Sequence, residues 1–299
     1  MSNPSENTSG EASRTHGPGQ PPEPGLHLVS TPIGNLRDIT LRALDTLAGA
    51  DLILAEDTRV AAKLLSAYGV SVTVWSFHDH NEDKQAAIIL DRLRAGERIA
   101  LVSDAGTPLV SDPGFKLVRA AVAADLPVHV VPGASSVLAA LSLSGLPSDA
   151  FFFGGFLPVK SGARQARLTA LKAVPGTLIL FETAPRLVAS LADMAAVLGD
   201  RPAAVTRELT KKFEEARRGT LAGLAEHYSR EGPPKGEIVV VIGPPEVSEA
   251  VWDEARVEAA LADRVPAAGV KQASAEIAAL SGWAKRDVYA RALALKDRA

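Results

Sequence analysis

The chain contains no cysteine. Disulfides, thiolate metal sites and thiol nucleophiles are thereby excluded together, which agrees with a reducing compartment. No run approaches the roughly 18 apolar residues that a membrane-spanning helix needs. The first residues, rich in Ser, Pro, Gly and Glu, carry no apolar stretch of the kind found in a secretory signal. Charge of neither sign dominates: 32 Lys and Arg stand against 35 Asp and Glu, for a formal net charge of −3. A polyanionic partner would therefore have to be held by local basic patches. Also missing are a Walker A pattern, a Gly-x-Gly-x-x-Gly fingerprint, a Gly-x-Ser-x-Gly elbow and an internal repeat. The expectation is a soluble, cytoplasmic protein with no membrane association and no metal.

A length of 299 residues with 46% hydrophobic content supports a substantial interior and more than one domain. Residues 1–24 are expected to form a disordered tail. From Leu26 onward, short apolar runs alternate with amphipathic stretches. Strands are predicted at 26–30, 51–55, 72–76, 99–102 and 127–131, with helices over 40–47, 59–68, 83–95 and 115–124, the rhythm of a βαβ domain. A helix over 135–143 opens a second half. There, strands at 151–153, 177–181, 203–207 and 237–242 alternate with helices at 162–172, 186–198 and 221–229, at spacings that suggest a mixed sheet. The expected division is an amino-terminal α/β domain at 25–134, a second α/β domain at 135–245 and a helical appendage at 246–299. Within the appendage, two helical patterns between Val270 and Leu293 flank a Ser281-Gly282 turn.

Several strand ends carry unusual chemistry. Ser30-Thr31-Pro32-Ile33-Gly34-Asn35-Leu36 follows the first strand, and its Pro and Gly make a tight turn whose amides can approach a ligand; taken alone it is equally a plain turn. In Ala55-Glu56-Asp57-Thr58-Arg59, Asp57 either caps the next helix and pairs with Arg59 or faces a ligand. Ser76 to Glu82 holds His78 and His80 beside acids. These histidines lack an evident third ligand, which argues against a metal. The apolar run Ile99 to Val102 ends in Ser-Asp-Ala-Gly-Thr-Pro-Leu-Val-Ser-Asp-Pro-Gly, and Val131 runs into Pro-Gly-Ala-Ser-Ser. Ligands of open α/β sheets bind at such carboxyl ends of strands, where helix amino-termini add amide donors.

Six segments occur here in one order: Thr31 to Leu36, Ala55 to Arg59, His78 to Glu82, Ser103 to Pro108, Gly155-Phe156-Leu157-Pro158 and Arg207-Glu208-Leu209-Thr210-Lys211. Together they resemble the signature of the bacterial small-subunit ribosomal RNA cytidine 2′-O-methyltransferases, a branch of the tetrapyrrole methylase superfamily. The resemblance is dense over residues 26–243 and looser in the appendage. It implies two α/β domains of the tetrapyrrole methylase type with a cofactor cleft between them, a small carboxyl-terminal helical appendage, S-adenosylmethionine as cofactor and a homodimer. Carried onto this chain, Pro32, Gly34, Asp104, Gly106, Thr107, Val110, Gly133, Ser135 and Ser136 would line the cofactor pocket, closed by Phe156 and Leu157. Asp104 is the expected polar anchor. Gly154 stands where the family often has Glu, and Thr183-Ala184-Pro185-Arg186 where it often has Ser-Pro-His-Arg, so neither missing side chain is essential here.

The activity implied is methylation of a cytidine ribose 2′-hydroxyl in small-subunit ribosomal RNA, free or within the 30S subunit. The alternatives are methylation of a porphyrinoid carbon, and RNA binding without catalysis. A base near the ribose hydroxyl would help, and Asp57, His78, His80, Glu82, Glu182 and Glu208 remain open for that role, with Arg59 beside them. RNA contact is expected from Lys160, Arg164, Arg167 and Lys172 in one segment and from Lys271, Lys285, Arg286 and Arg291 in the appendage. Either basic group is equally an ordinary solvated face.

Overall fold

A computed structural model describes residues 21–78, 82–245 and 252–298. The tail expected over 1–24 therefore lies outside the described residues as far as residue 20, as does His80.

The first sheet is built from β1 (Gly25–Val29), β2 (Leu52–Ala55), β3 (Val74–Ser76), β4 (Arg98–Val102) and β5 (Val128–Val131). The strands are parallel, in the order β3-β2-β4-β1-β5. A parallel sheet is covered on both faces, so its central strands read as unbroken apolar runs. Leu52 to Ala55 is accordingly buried at every position. One face packs Leu26, Leu54, Phe77, Ile99 and Leu117 into a core, and the other packs Val29, Leu47, Ile53, Leu65 and Val102. The crossovers supply α1 (Leu41–Ala48), α2 (Thr58–Ala67), α3 (Glu82–Arg94) and α4 (Phe115–Ala123). Thr40 and Asp57 cap α1 and α2 by accepting from backbone amides of the first turn.

The second sheet contains β6 (Phe151–Phe156), β7 (Thr177–Thr183), β8 (Pro202–Arg207), β9 (Glu215–Thr220) and β10 (Glu237–Ile242). Its order is β6-β7-β10-β8-β9, with only the β6–β7 pair parallel. The mixed sheet matches expectation, but β9 was not foreseen. Its Glu-Ala-Arg-Arg-Gly-Thr carries no apolar alternation because it is an edge strand, and charge suits an edge. α6 (Ser161–Leu171), α7 (Leu187–Leu198) and α8 (Leu221–Glu231) enclose a core of Leu168, Leu178, Leu191, Met194, Val205 and Val240. On the other face, α5 (Ser136–Ser144) places Val137, Ala140 and Leu141 against Ile179, Val239 and Val241.

The described residues as far as Pro244 form one compact unit and those from Pro245 onward another. The second unit consists of α9 (Glu254–Ser281), broken at Gly269 (φ 76°, ψ 160°), and α10 (Lys285–Arg298). Gly282 (φ 69°) closes α9 in the left-handed region, so the turn read at Ser281-Gly282 is present. Val257, Leu261, Ala273, Ile277, Val288 and Ala292 form a core of its own. Arg291 pairs with both Glu254 and Glu258, tying α10 to the first turns of α9.

Candidate active site

Three strand-end turns of the first sheet are stitched into one assembly. After β1, Thr31 and Gly106 exchange both backbone hydrogen bonds, with Thr31 N donating to Gly106 O at 2.8 Å and Gly106 N to Thr31 O at 3.0 Å. Ser30 Oγ donates to Thr107 Oγ1 at 3.2 Å, and Thr107 Oγ1 donates to Ala134 O at 3.3 Å. Thr31 Oγ1 reaches Ser103 O, and Ser103 Oγ reaches Gly106 O. These small hydroxyl residues tie the ends of β1, β4 and β5 together. Gly133 lets the third turn approach, since a Cβ there would lie 2.9 Å from Ser30 Cβ.

The assembly forms one wall of a cavity of about 330 Å³. Of the pocket residues expected from the sequence, Gly106, Thr107, Val110, Ser135, Ser136 and Phe156 line it. Five others, Pro32, Gly34, Asp104, Gly133 and Leu157, are not among its lining residues. Pro32 and Gly34 shape the first turn; at Gly34 a Cβ would meet Lys211 Cγ at 2.4 Å, so the glycine makes room for that lysine. Gly133 serves the approach described above. Leu157 is 2% exposed in the core of the second sheet. Asp104 is exposed, accepts from Asp57 N at 3.1 Å and so orders the neighbouring turn, and it is not among the residues that line the cavity.

The opposite wall was largely missed. Phe181, Glu182 and Thr183 from the end of β7, Leu209, and Gly236 to Val239 at the start of β10 all line the cavity, as do Ser111 and Asp112. A strand reading Glu-Ile-Val-Val-Val-Ile signals burial and says nothing about a ligand, and Asp112 in Ser-Asp-Pro-Gly looks like a turn residue. A cluster of left-handed non-glycine residues now marks the rim: Leu109 and Ser111 at φ 72°, Glu208 at 48° and Thr210 at 65°. Such strain accumulates at functional sites.

The polar candidates separate by their partners. Asp57 caps α2 and holds the Arg59 guanidinium through both carboxyl oxygens, with contacts down to 2.6 Å, which lowers its pKa to about 2. Glu82 is corrected from a base to an anchor: it is 2% exposed and accepts the Leu117 amide at 3.0 Å, joining α3 to α4. Glu182 borders the cavity, but its buried carboxylate accepts from Ser190 Oγ and from Thr183 N at 2.8 Å. Arg186 Nε lies 3.2 Å from the same carboxylate without the alignment of a hydrogen bond. Glu208 accepts from the Glu237 amide and from Lys211 Nζ, and these donors hold its carboxyl below the usual range. His78 is half-buried at the end of β3, and its carbonyl accepts the Glu82 amide that opens α3.

Among the basic candidates Arg164 is corrected. It is 4% exposed, and its guanidinium pairs with Asp193 at 2.6 Å on α7, so it faces the interior. Lys160, Arg167 and Lys172 are exposed on and beside α6, as are Lys271, Lys285 and Arg286 in the second unit. Among the described residues no group of three or more His, Asp or Glu could hold a metal ion, and no helix is long and apolar enough to cross a membrane.

This fold, with a ligand cavity between two α/β sheets, is that of a known class of methylases. The chain belongs to the family of tetrapyrrole (corrin/porphyrin) methylases, whose model matches residues 25–225, and residues 252–296 match a second model described as the RsmI C-terminal HTH domain. Among curated proteins it is 52% identical to a Ribosomal RNA small subunit methyltransferase I of Mesorhizobium japonicum, over 95% of this chain and 96% of that protein. It is 44% identical to the protein of the same name from Haemophilus influenzae, over 90% and 96%. Solved structures with this fold include diphthine synthase (TM-score 0.57, 17% identity, covering 73% of this chain and 89% of that one). Another is the uroporphyrin-III C-methyltransferase of Thermus thermophilus complexed with S-adenosylhomocysteine (TM-score 0.51, 23% identity, 73% and 97%).

Proposed function

We propose that this protein transfers a methyl group from S-adenosylmethionine to a cytidine ribose 2′-hydroxyl of small-subunit ribosomal RNA. The observation that carries the reading is the cavity itself: three strand-end turns locked together by Ser30, Thr31, Ser103 and Thr107, opposed by the end of β7 and the start of β10. High identity to the curated small-subunit RNA methyltransferases over nearly the whole chain supports the same activity.

The residues present fit the cofactor. A cavity of about 330 Å³ lies within the usual range of roughly 300–1,000 Å³ for small-molecule sites. Its apolar surface comes from Ile33, Val137, Leu209 and Val239, suited to an adenine ring and an aliphatic chain. At Gly106 (φ 85°) a Cβ would lie 3.2 Å from Ile33 Cγ2, so the bare backbone is what keeps that wall open. When bound, the cofactor supplies an activated methyl on a sulfonium. What remains for the protein is alignment and proton removal. Holding acceptor and donor in line within about 3–3.5 Å is the larger contribution, and a rigid assembly of turns is suited to it.

A ribosomal RNA substrate supports a cytoplasmic location, and a homodimer remains part of the proposal, checked by sedimentation. The decisive experiment is incubation with labelled donor and either free small-subunit RNA or 30S subunits, followed by nucleoside analysis. Label in 2′-O-methylcytidine is the expected result. Label on a base, or only on an added porphyrinoid, overturns the reading.

A further inference from the structure

We propose that the Asp112 carboxylate is the base that takes the proton of the acceptor hydroxyl during methyl transfer. This rests on the proposed function above and assigns the proton-accepting role to a residue that the sequence did not single out.

Three acids border the cavity: Asp112, Glu182 and Glu237. The carboxylate of Glu182 is saturated by Ser190, the Thr183 amide and the Arg186 charge. Glu237 is bound to Lys211 Nζ at 3.0 Å. Among the described residues Asp112 alone of the three accepts no hydrogen bond and forms no ion pair. A carboxylate whose lone pairs are uncommitted, at the wall of a ligand cavity, is free to accept a proton from what binds there.

Its position is fixed by the chain on either side. Ser111 sits in the left-handed region at φ 72°, Pro113 restricts the following backbone, and Gly114 (φ 116°) packs so closely that a Cβ would lie 2.6 Å from Leu101 Cδ2. The charged surroundings are acidic. Glu56 at the end of β2 and Asp104 after β4 act on Asp112 directly, and Glu182 and Glu237 face the cavity from β7 and β10. Burial first, then Glu56 and Asp104, push its pKa up to about 6. It therefore remains ionised at neutral pH while being a stronger base than an ordinary carboxylate.

The step balances without a further reactant. A lone pair of the 2′-oxygen forms the bond to the methyl carbon, and the carbon–sulfur bond breaks with its electrons going to sulfur. The hydroxyl proton passes to Asp112 and from there to water.

The test compares wild type, Asp112→Asn and Asp112→Glu in single-turnover methylation of unmodified 30S subunits from about pH 5 to 8.5, with donor affinity measured separately by calorimetry. Asp112→Asn should slow transfer by about 100-fold or more while leaving the donor dissociation constant within about twofold. The ascending acid limb of the wild-type profile should vanish in Asp112→Asn and return, at reduced rate, in Asp112→Glu. Retention of the acid limb in Asp112→Asn, or a rate within tenfold of wild type, overturns the assignment while leaving the methyltransferase reading intact. A loss of donor affinity that matches the loss of rate makes Asp112 a donor contact instead and also overturns it. Absence of transfer by wild type to RNA or 30S subunits removes the parent reading and this step with it.

Discussion

Asp112 is ionised at a cost to the fold. Its native pKa of about 6 lies above the ordinary 3.8, so between these values the folded chain binds a proton that the unfolded chain has released. Stability therefore falls as pH rises through that window, and the penalty is complete above it. Asp112→Asn should stabilise the protein at pH 7 by about 1 kcal/mol, after discounting for the solvent that reaches this half-buried group, with the gain disappearing below about pH 4. Urea unfolding of the two proteins at both pH values checks this, and equal stability at pH 7 counts against the raised pKa. Gly106 makes the complementary case. An alanine there must adopt φ near 85° and place its Cβ 3.2 Å from Ile33 Cγ2. Gly106→Ala should lose about 1–2 kcal/mol of stability and weaken donor binding, read by thermal melting and calorimetry.

Helix α6 separates exposed charge, which the proposed function gives to RNA, from charge that holds the fold. Arg164, Leu168 and Leu171 are its buried positions, a spacing of four and three, so an arginine in the middle of a basic run belongs to the apolar face. Replacing exposed Lys160, Arg167 and Lys172 together by alanine should reduce the salt dependence of RNA binding by up to about two log units per log salt and leave the melting temperature nearly unchanged. Arg164→Ala should do the reverse. It strands Asp193 on α7 and should cost about 3 kcal/mol, with the salt slope preserved. Filter binding across a salt series and thermal melts separate the two outcomes. The period of α6 was in principle legible, and the strands and turns that bring Gly106, Thr107 and Ser135 together were read from their apolar runs and glycines. What escaped has a physical reason in each case. β9 carries edge-strand charge in place of alternation, the wall from Gly236 to Val239 is hidden in a buried strand, and Asp112 draws its basicity first from burial and then from Glu56 and Asp104, of which Glu56 is distant in sequence.

The proposed function gives the two compact units, divided at Pro244, separate tasks. Every residue bordering the donor cavity falls between Ile33 and Val239, and both sheets are complete by Ile242, so the first unit contains all that the cavity requires. The second unit has a separate core centred on Val257, Leu261 and Val288, exposes Lys271, Lys285 and Arg286, and matches a helix-turn-helix model. Donor binding should therefore survive removal of the second unit, and recognition of RNA should not. A chain ending at Pro245 should retain a folded circular dichroism spectrum and bind S-adenosylmethionine within about threefold of the full chain, because no wall of the site is lost. Its methylation of 30S subunits should fall by at least about tenfold through KM, since each lost phosphate contact weakens binding in a salt-dependent way. If kcat falls while KM holds, the second unit contributes to the chemistry. If neither changes, α6 and the rim of the cavity suffice to hold the RNA.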